Sequence, residues 1–157
     1  MKATDTLSGE HRKIEQTLDR VSELCRAHSL ERTAIADCLE FIRDFSDKRH
    51  HGKEEDRLFP LLVKRGMPQE GGPIGCMIDE HQTGRALIRR AAEALHAGDE
   101  AEVKTCLSQF VSLLREHIKK EEMILFRMAD QILTETDQVE LEKEFAASDA
   151  AFEAKTA

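Results

Sequence analysis

Apolar residues recur along this chain at steps of three and four, the spacing that gathers side chains on one face of a helix. Leu7, Ile14, Leu18, Val21 and Cys25 predict a helix over 5–28, and Ile35, Leu39, Ile42, Leu58 and Leu61 a second over 31–65. Ile74, Ile88 and Leu95 mark a third over 73–97, and Val103, Leu107, Phe110, Leu114, Ile124 and Met128 a fourth over 99–133. Gly66-Met67-Pro68 and Gly71-Gly72-Pro73 bound one connection, and Gly98-Asp99 reads as a helix C-cap followed by an N-cap. Pro60 falls late in the second helix and is expected to kink it or end its regular part. No alternating Val/Ile/Thr run or Asn-Gly turn signals a strand. The expected fold is all-α, an up-down-up-down four-helix bundle over 1–133. An additional C-terminal helix near 135–154 carries Leu141, Phe145 and Phe152 on one side. Residues 134–157 are therefore expected to pack on the bundle or on a partner subunit, the second arrangement making a homodimer.

Each of the four apolar seams is interrupted by one histidine: His11, His50, His81 and His117. Two seams also carry a glutamate four residues later, Glu54 and Glu121, on the same face as the histidine before it. Burying an unpaired carboxylate costs several kcal/mol, and no inward lysine or arginine is evident on these seams. A bound pair of cations resolves the conflict, because neutral imidazoles and ionised carboxylates are the forms that ligate metal. Such donors suit iron, manganese or zinc. The cysteines Cys25, Cys38, Cys76 and Cys106 lack Cys-x-x-Cys spacing and read as reduced core residues rather than ligands.

Composition narrows the function classes. At 157 residues the chain is one domain, and Lys+Arg 23 against Asp+Glu 31, net −8, excludes a nucleic-acid backbone binder. No apolar run approaches the roughly 18 residues of a membrane span, and Met1-Lys2-Ala3-Thr4-Asp5 lacks the apolar segment of a signal peptide. A cytoplasmic protein with neither nucleic acid nor membrane as partner is expected. Tyr and Trp are absent, which disfavours a stored tyrosyl radical or a tryptophan electron relay.

The polar positions also repeat. Glu10-His11 is followed by His50-x-x-x-Glu54-Glu55-x-x-Leu58-Phe59, and Glu80-His81 by His117-x-x-x-Glu121-Glu122-x-x-Leu125-Phe126. Two helical hairpins thus offer one ligand set twice, as a two-metal site with a pseudo-twofold axis requires. Over about residues 6–130 the chain resembles the hemerythrin-like (HHE cation-binding) family, through His11, His50-His51-Gly52-Lys53-Glu54-Glu55, Leu58-Phe59-Pro60, His81 and His117–Glu121. The resemblance implies a non-haem centre of two oxo- or hydroxo-bridged iron ions, with His11, His50, His81 and His117 as terminal ligands and Glu54 and Glu121 bridging.

One departure bears on mechanism. The oxygen-carrying hemerythrins have two histidines four apart on the third helix, whereas Met77 and Arg85 flank His81 here. His51 is the candidate for an additional ligand, with a solvated or interhelical histidine as the alternative. Glu55 and Glu122 read as residues behind the ligands or on the surface, and Arg85 to Arg90 as a solvated face. A site with more open positions favours small-molecule redox chemistry over carriage. The expected function is to bind and react with dioxygen, nitric oxide or peroxide in sensing or stress response, including oxidoreductase turnover of peroxide or nitric oxide. The alternative is a reversible oxygen-binding or iron-holding protein without turnover, and the third is a metal that only satisfies buried ligands.

Overall fold

The computed structural model describes residues 1–156 and contains five helices with no strand among them. Helix α1 is Ala3–Arg26, α2 the continuous run 32–64, α3 Pro73–Ala97, α4 the run 100–132 and α5 Glu135–Thr156. Pro73 lies in the first turn of α3, and Gly98 closes that helix in the left-handed region at φ 77°, which glycine adopts without Cβ strain. Asp99 then caps α4, its side chain accepting the Glu102 N–H at 3.1 Å. Helices α1 and α3 each neighbour both α2 and α4, so the first four form an antiparallel bundle as the short connections require. No helix among the described residues is long and apolar enough to cross a membrane.

The bundle interior holds two apolar clusters rather than one. The larger contains Ile14, Leu18 and Val21 of α1, Ile35, Leu39 and Ile42 of α2, Ile88 and Ala91 of α3, and Leu107, Phe110 and Leu114 of α4. The smaller contains Leu7, Leu58, Leu62, Ile74, Met77, Leu125 and Phe126, together with Leu141 and Phe145 of α5. Burying each such side chain is worth about 1.5–3 kcal/mol. On every bundle helix the histidine of the seam falls between the two clusters, so the polar interruptions form one layer at a common depth.

The helices are underwound at that layer. Residues Ile42–His51 and Glu54–Leu58 of α2, and Glu121–Leu125 of α4, are π-helical. The Phe59 N–H donates to the Glu54 carbonyl, and the Phe126 N–H to that of Glu121, each five residues back. Buried Ile42, Ser46, His50, Glu54, Leu58 and Leu62 follow a strict spacing of four. On an α-helix that spacing drifts by about 40° per step and would carry Leu62 to the far face; the wider π turns hold all six on one side. Three seam positions expected from α-helical periodicity are therefore wrong. Leu62, not Leu61, is in the core, and in α4 Leu125 and Ala129 replace Ile124, which is 50% exposed, and Met128. Pro60 neither ends nor breaks α2, because it follows the π stretch in the first turn of the α-helical Phe59–Lys64.

Helix α5 lies on the bundle against α1 and α2, with Leu141 and Phe145 buried in the smaller cluster. Thr134 and Asp137 open it with a reciprocal capping box, the Thr134 N–H donating to Asp137 and the Asp137 N–H to Thr134 Oγ1. Arg65 at the end of α2 donates to both oxygens of Asp137, at 2.9 and 2.7 Å. Arg65, and then the Thr134 backbone, hold the Asp137 carboxyl well below the usual carboxylate range. A depressed native pKa contributes stability above the unfolded value, about 3.8 here, and loses it as pH falls through the native one. Asp137→Asn is expected to melt below the parent protein at neutral pH, the gap narrowing below about pH 4. A gap of constant size across an acid titration of melting temperature would contradict this.

Candidate metal centre

The polar layer contains five imidazoles, and each is held by a carboxylate on its Nδ1. Glu122 holds His11 at 2.9 Å, Glu10 holds His50 at 2.9 Å, and Asp47 holds His51 at 3.2 Å. Glu55 holds His81 at 2.6 Å, and Glu80 holds His117 at 3.0 Å. An ionised carboxylate only accepts, so each Nδ1 carries its proton and each Nε2 is turned inward. All five rings are buried.

The inward atoms form two groups, each with its ligand atoms within 4.8 Å of one another. One is His51, Glu54, His81 and His117; the other is His11, His50, Glu54 and Glu121. Glu54 belongs to both, with Oε1 3.3 Å from His81 Nε2 and Oε2 3.7 Å from His50 Nε2. Glu121 also spans them, its Oε1 lying 3.1 Å from both His11 Nε2 and His117 Nε2. The structure thus brings together His11, His50, Glu54, His81, His117 and Glu121, and places His51 with them. His51 stacks on His81 with ring centroids 3.7 Å apart, which excludes the solvated alternative. Met77 does not line this layer; it packs in the smaller apolar cluster.

These residues fit a pair of cations. Protons alone neutralise the layer incompletely. Burial, and then the neighbouring Glu121, raise the Glu54 pKa, while burial opposes the charge of Glu121 but Glu54, His117 and His11 outweigh it. Burial likewise opposes charge on His11, yet Glu121 and Glu122 raise it to about 9, whereas burial takes His50 down to about 4. Even so, His50 Nε2, both oxygens of Glu54 and Glu121 Oε2 have no hydrogen-bond partner among the described residues. Each orphaned buried polar atom costs about 1–3 kcal/mol, and a cation in each group would offer such atoms a partner.

The sequence repeat extends behind the ligands. Glu10 and Glu80, each just before an inward histidine, reach across to His50 and His117; Glu55 and Glu122, each just after an inward glutamate, reach His81 and His11. Lys53 and Lys120, three residues after His50 and His117, bind Glu10 and Glu80. Arg85 donates to Glu55 and Arg12 to Glu122. Phe126 stacks on His11 at 5.4 Å and Phe59 on His81 at 6.2 Å, closing the layer toward the smaller cluster. The repeat breaks where His51 corresponds to Ile118, a core residue, and Asp47 to Leu114.

Three expectations need correction. Lys53 is an inward cation, fully buried between Glu10 and Asp149 of α5, the latter 2.7 Å away. Arg85 is not on a solvated face: one turn after His81, it shares that residue's side of α3 and reaches Asp47 and Glu55. Burial tends to raise Asp47, but His51 and Arg85 outweigh it and hold the carboxyl at about 2. Cys76 is exposed because it precedes the seam position Met77; all four cysteines are free thiols. The roles of Glu10 and Glu80 were present in the repeat as Glu-His pairs, but not the crossing that gives each glutamate to the other helix of its hairpin.

Comparison with known proteins adds a family. The model described as hemerythrin HHE cation binding domain matches residues 2–129. No curated protein and no solved structure matches the chain. The matched region contains both hairpins and all seven inward side chains, and the chain belongs to the hemerythrin HHE cation-binding domain family.

Proposed function

We propose that this is a non-haem di-iron protein that binds and reacts with dioxygen, nitric oxide or peroxide in sensing or stress response. The observation that carries the reading is the membership of Glu54 in both ligand groups. His51, His81 and His117 would hold one iron and His11 and His50 the other, with Glu54 and Glu121 common to the two. Bound there, an iron pair supplies coordination positions for a small molecule and one-electron redox changes at each ion. The protein's own residues do the rest. Five carboxylates fix the imidazole orientations and keep each Nδ1 protonated. Phe59 and Phe126 exclude water on one side.

His51 also supports a second reading, reversible oxygen binding or iron holding without turnover. It supplies the fifth histidine whose absence from the third helix argued against carriage.

Metal analysis of protein purified without chelator is expected to give about two irons per chain, as a dinuclear site requires. Peroxide consumption that disappears in Glu121→Ala would mark turnover, and a visible band that follows oxygenation reversibly would mark the binder. A metal that neither changes oxidation state nor accepts azide would overturn both readings.

A further inference from the structure

Beside the metal layer, between α2 and α3, is a cavity of about 360 Å³ that nothing in the proposed chemistry explains. Its volume falls within the range of about 300–1,000 Å³ that holds small organic ligands. Ile42, Ile88, Phe110 and Leu114 supply apolar walls, and the His51 and His81 rings line the end next to the metal layer. Gly84 makes room for it: a Cβ there would already lie 3.4 Å from the Phe110 ring.

Two polar features sit at different places on this apolar lining. Ser46, a lining residue, is 1% exposed, and its Oγ has no hydrogen-bond partner among the described residues. A buried hydroxyl without a partner costs free energy that a ligand oxygen would return. At the exposed rim stand Arg43 on α2 and Arg89 on α3, neither in an ion pair or hydrogen bond among the described residues. Lys48 and Arg85, also on the lining, are engaged by Asp44 and by Asp47 with Glu55. Of the lining carboxylates, Asp47 is held by Arg85 and Glu80 by Lys120, which leaves Glu93 alone against the two free guanidiniums.

We infer that this cavity is a binding site for a small amphipathic carboxylic acid bearing an oxygen function on its apolar body. The carboxylate lies between Arg43 and Arg89, where guanidiniums give charge-assisted hydrogen bonds. The apolar body fills the space between Ile42, Ile88 and Phe110, and its second oxygen pairs with Ser46 Oγ. An occupant so placed lies against His51 and His81 and closes this approach to the metal layer. The binding claim stands apart from what the centre does with a small molecule.

Calorimetric titration of the full chain with octanoate, ω-hydroxyoctanoate and octanol tests it. Saturable binding of octanoate is expected, with octanol weaker by about tenfold for want of the charged head. ω-Hydroxyoctanoate should bind several-fold more tightly than octanoate, and Ser46→Ala should abolish that difference. Arg43→Gln combined with Arg89→Gln should reduce octanoate to the level of octanol while leaving octanol unchanged. Gly84→Leu should abolish uptake by filling the cavity from α3. Ala92→Leu fills it from another lining position, with helicity checked by circular dichroism for both. Absence of saturable octanoate binding, octanol binding as well as octanoate, or uptake unaffected by both filling variants would overturn the assignment. Metal content, measured in parallel, tells failure here from failure of the di-iron reading.

Discussion

Glu54→Leu is expected to lose both cations and, in the metal-free state, to be more stable than the parent protein. The two effects share one cause. Glu54 is wholly buried, contributes to both ligand groups, and neither of its oxygens has a partner. Removing it takes a donor from each cation at once, whereas His51→Leu takes one only from the group with His81 and His117. Metal analysis should therefore find Glu54→Leu nearly empty and His51→Leu depleted on one side. Without metal, the parent must keep two carboxylates together in an apolar interior, and burial with Glu121 beside it drives Glu54 toward its neutral form. Removing a neutral buried polar group that has no partner returns its desolvation penalty, about 1–3 kcal/mol. With metal the order reverses, because ligand binding becomes folding free energy only in the parent. Melting curves recorded with and without chelator should cross accordingly. A Glu54→Leu protein that retained two metals, or that melted below the chelated parent, would refute the bridging role.

The second large effect is expected at Lys53. Lys53→Met leaves the largely buried Glu10 without its lysine and Asp149 with Arg49 alone, at a cost of about 3 kcal/mol, the low end for a broken buried pair. Lys120 occupies the same place in the other hairpin and binds Glu80, but it is 41% exposed. Water screens that pair, so Lys120→Met should cost no more than about 1 kcal/mol. The contrast separates burial from residue chemistry, since both lysines do the same job on paper. Because Glu10 orients His50, Lys53→Met should also weaken metal retention by about 10–100-fold, the usual range for groups behind a ligand. Denaturant unfolding of the two variants side by side provides the measurement. Equal losses at the two positions would mean that α5 contributes nothing to the environment of Lys53.

Much of the architecture was legible from one signal, the spacing of apolar residues and the histidines and glutamates that interrupt it. That signal locates five helices and brings six inward side chains to one layer, because antiparallel packing aligns the interruptions. It misplaced Leu61, Ile124 and Met128, since a period of 3.6 residues fails where the backbone takes π turns. The clue was the unbroken four-residue step from Ile42 to Leu58, which an α-helix does not keep on one face. His51 was visible only as a neighbour of His50, because α-helical geometry sets adjacent residues well apart around the axis. Lys53 was not legible locally: what buries it is Asp149, on a helix far along the chain, and a lysine in a charged stretch reads as solvated until that partner is known.

The connection from Asp149 through Lys53 and Glu10 to His50 also constrains how the protein is made. Synthesis delivers α1 and α2 before α5, so in the early hairpin Lys53 has Glu10 but lacks Asp149 until that helix arrives. A nascent chain halted before α5 would present His50 on a loosened support. Emergence of α5 is thus expected to gate maturation, this half of the centre reaching its finished geometry only after that helix docks.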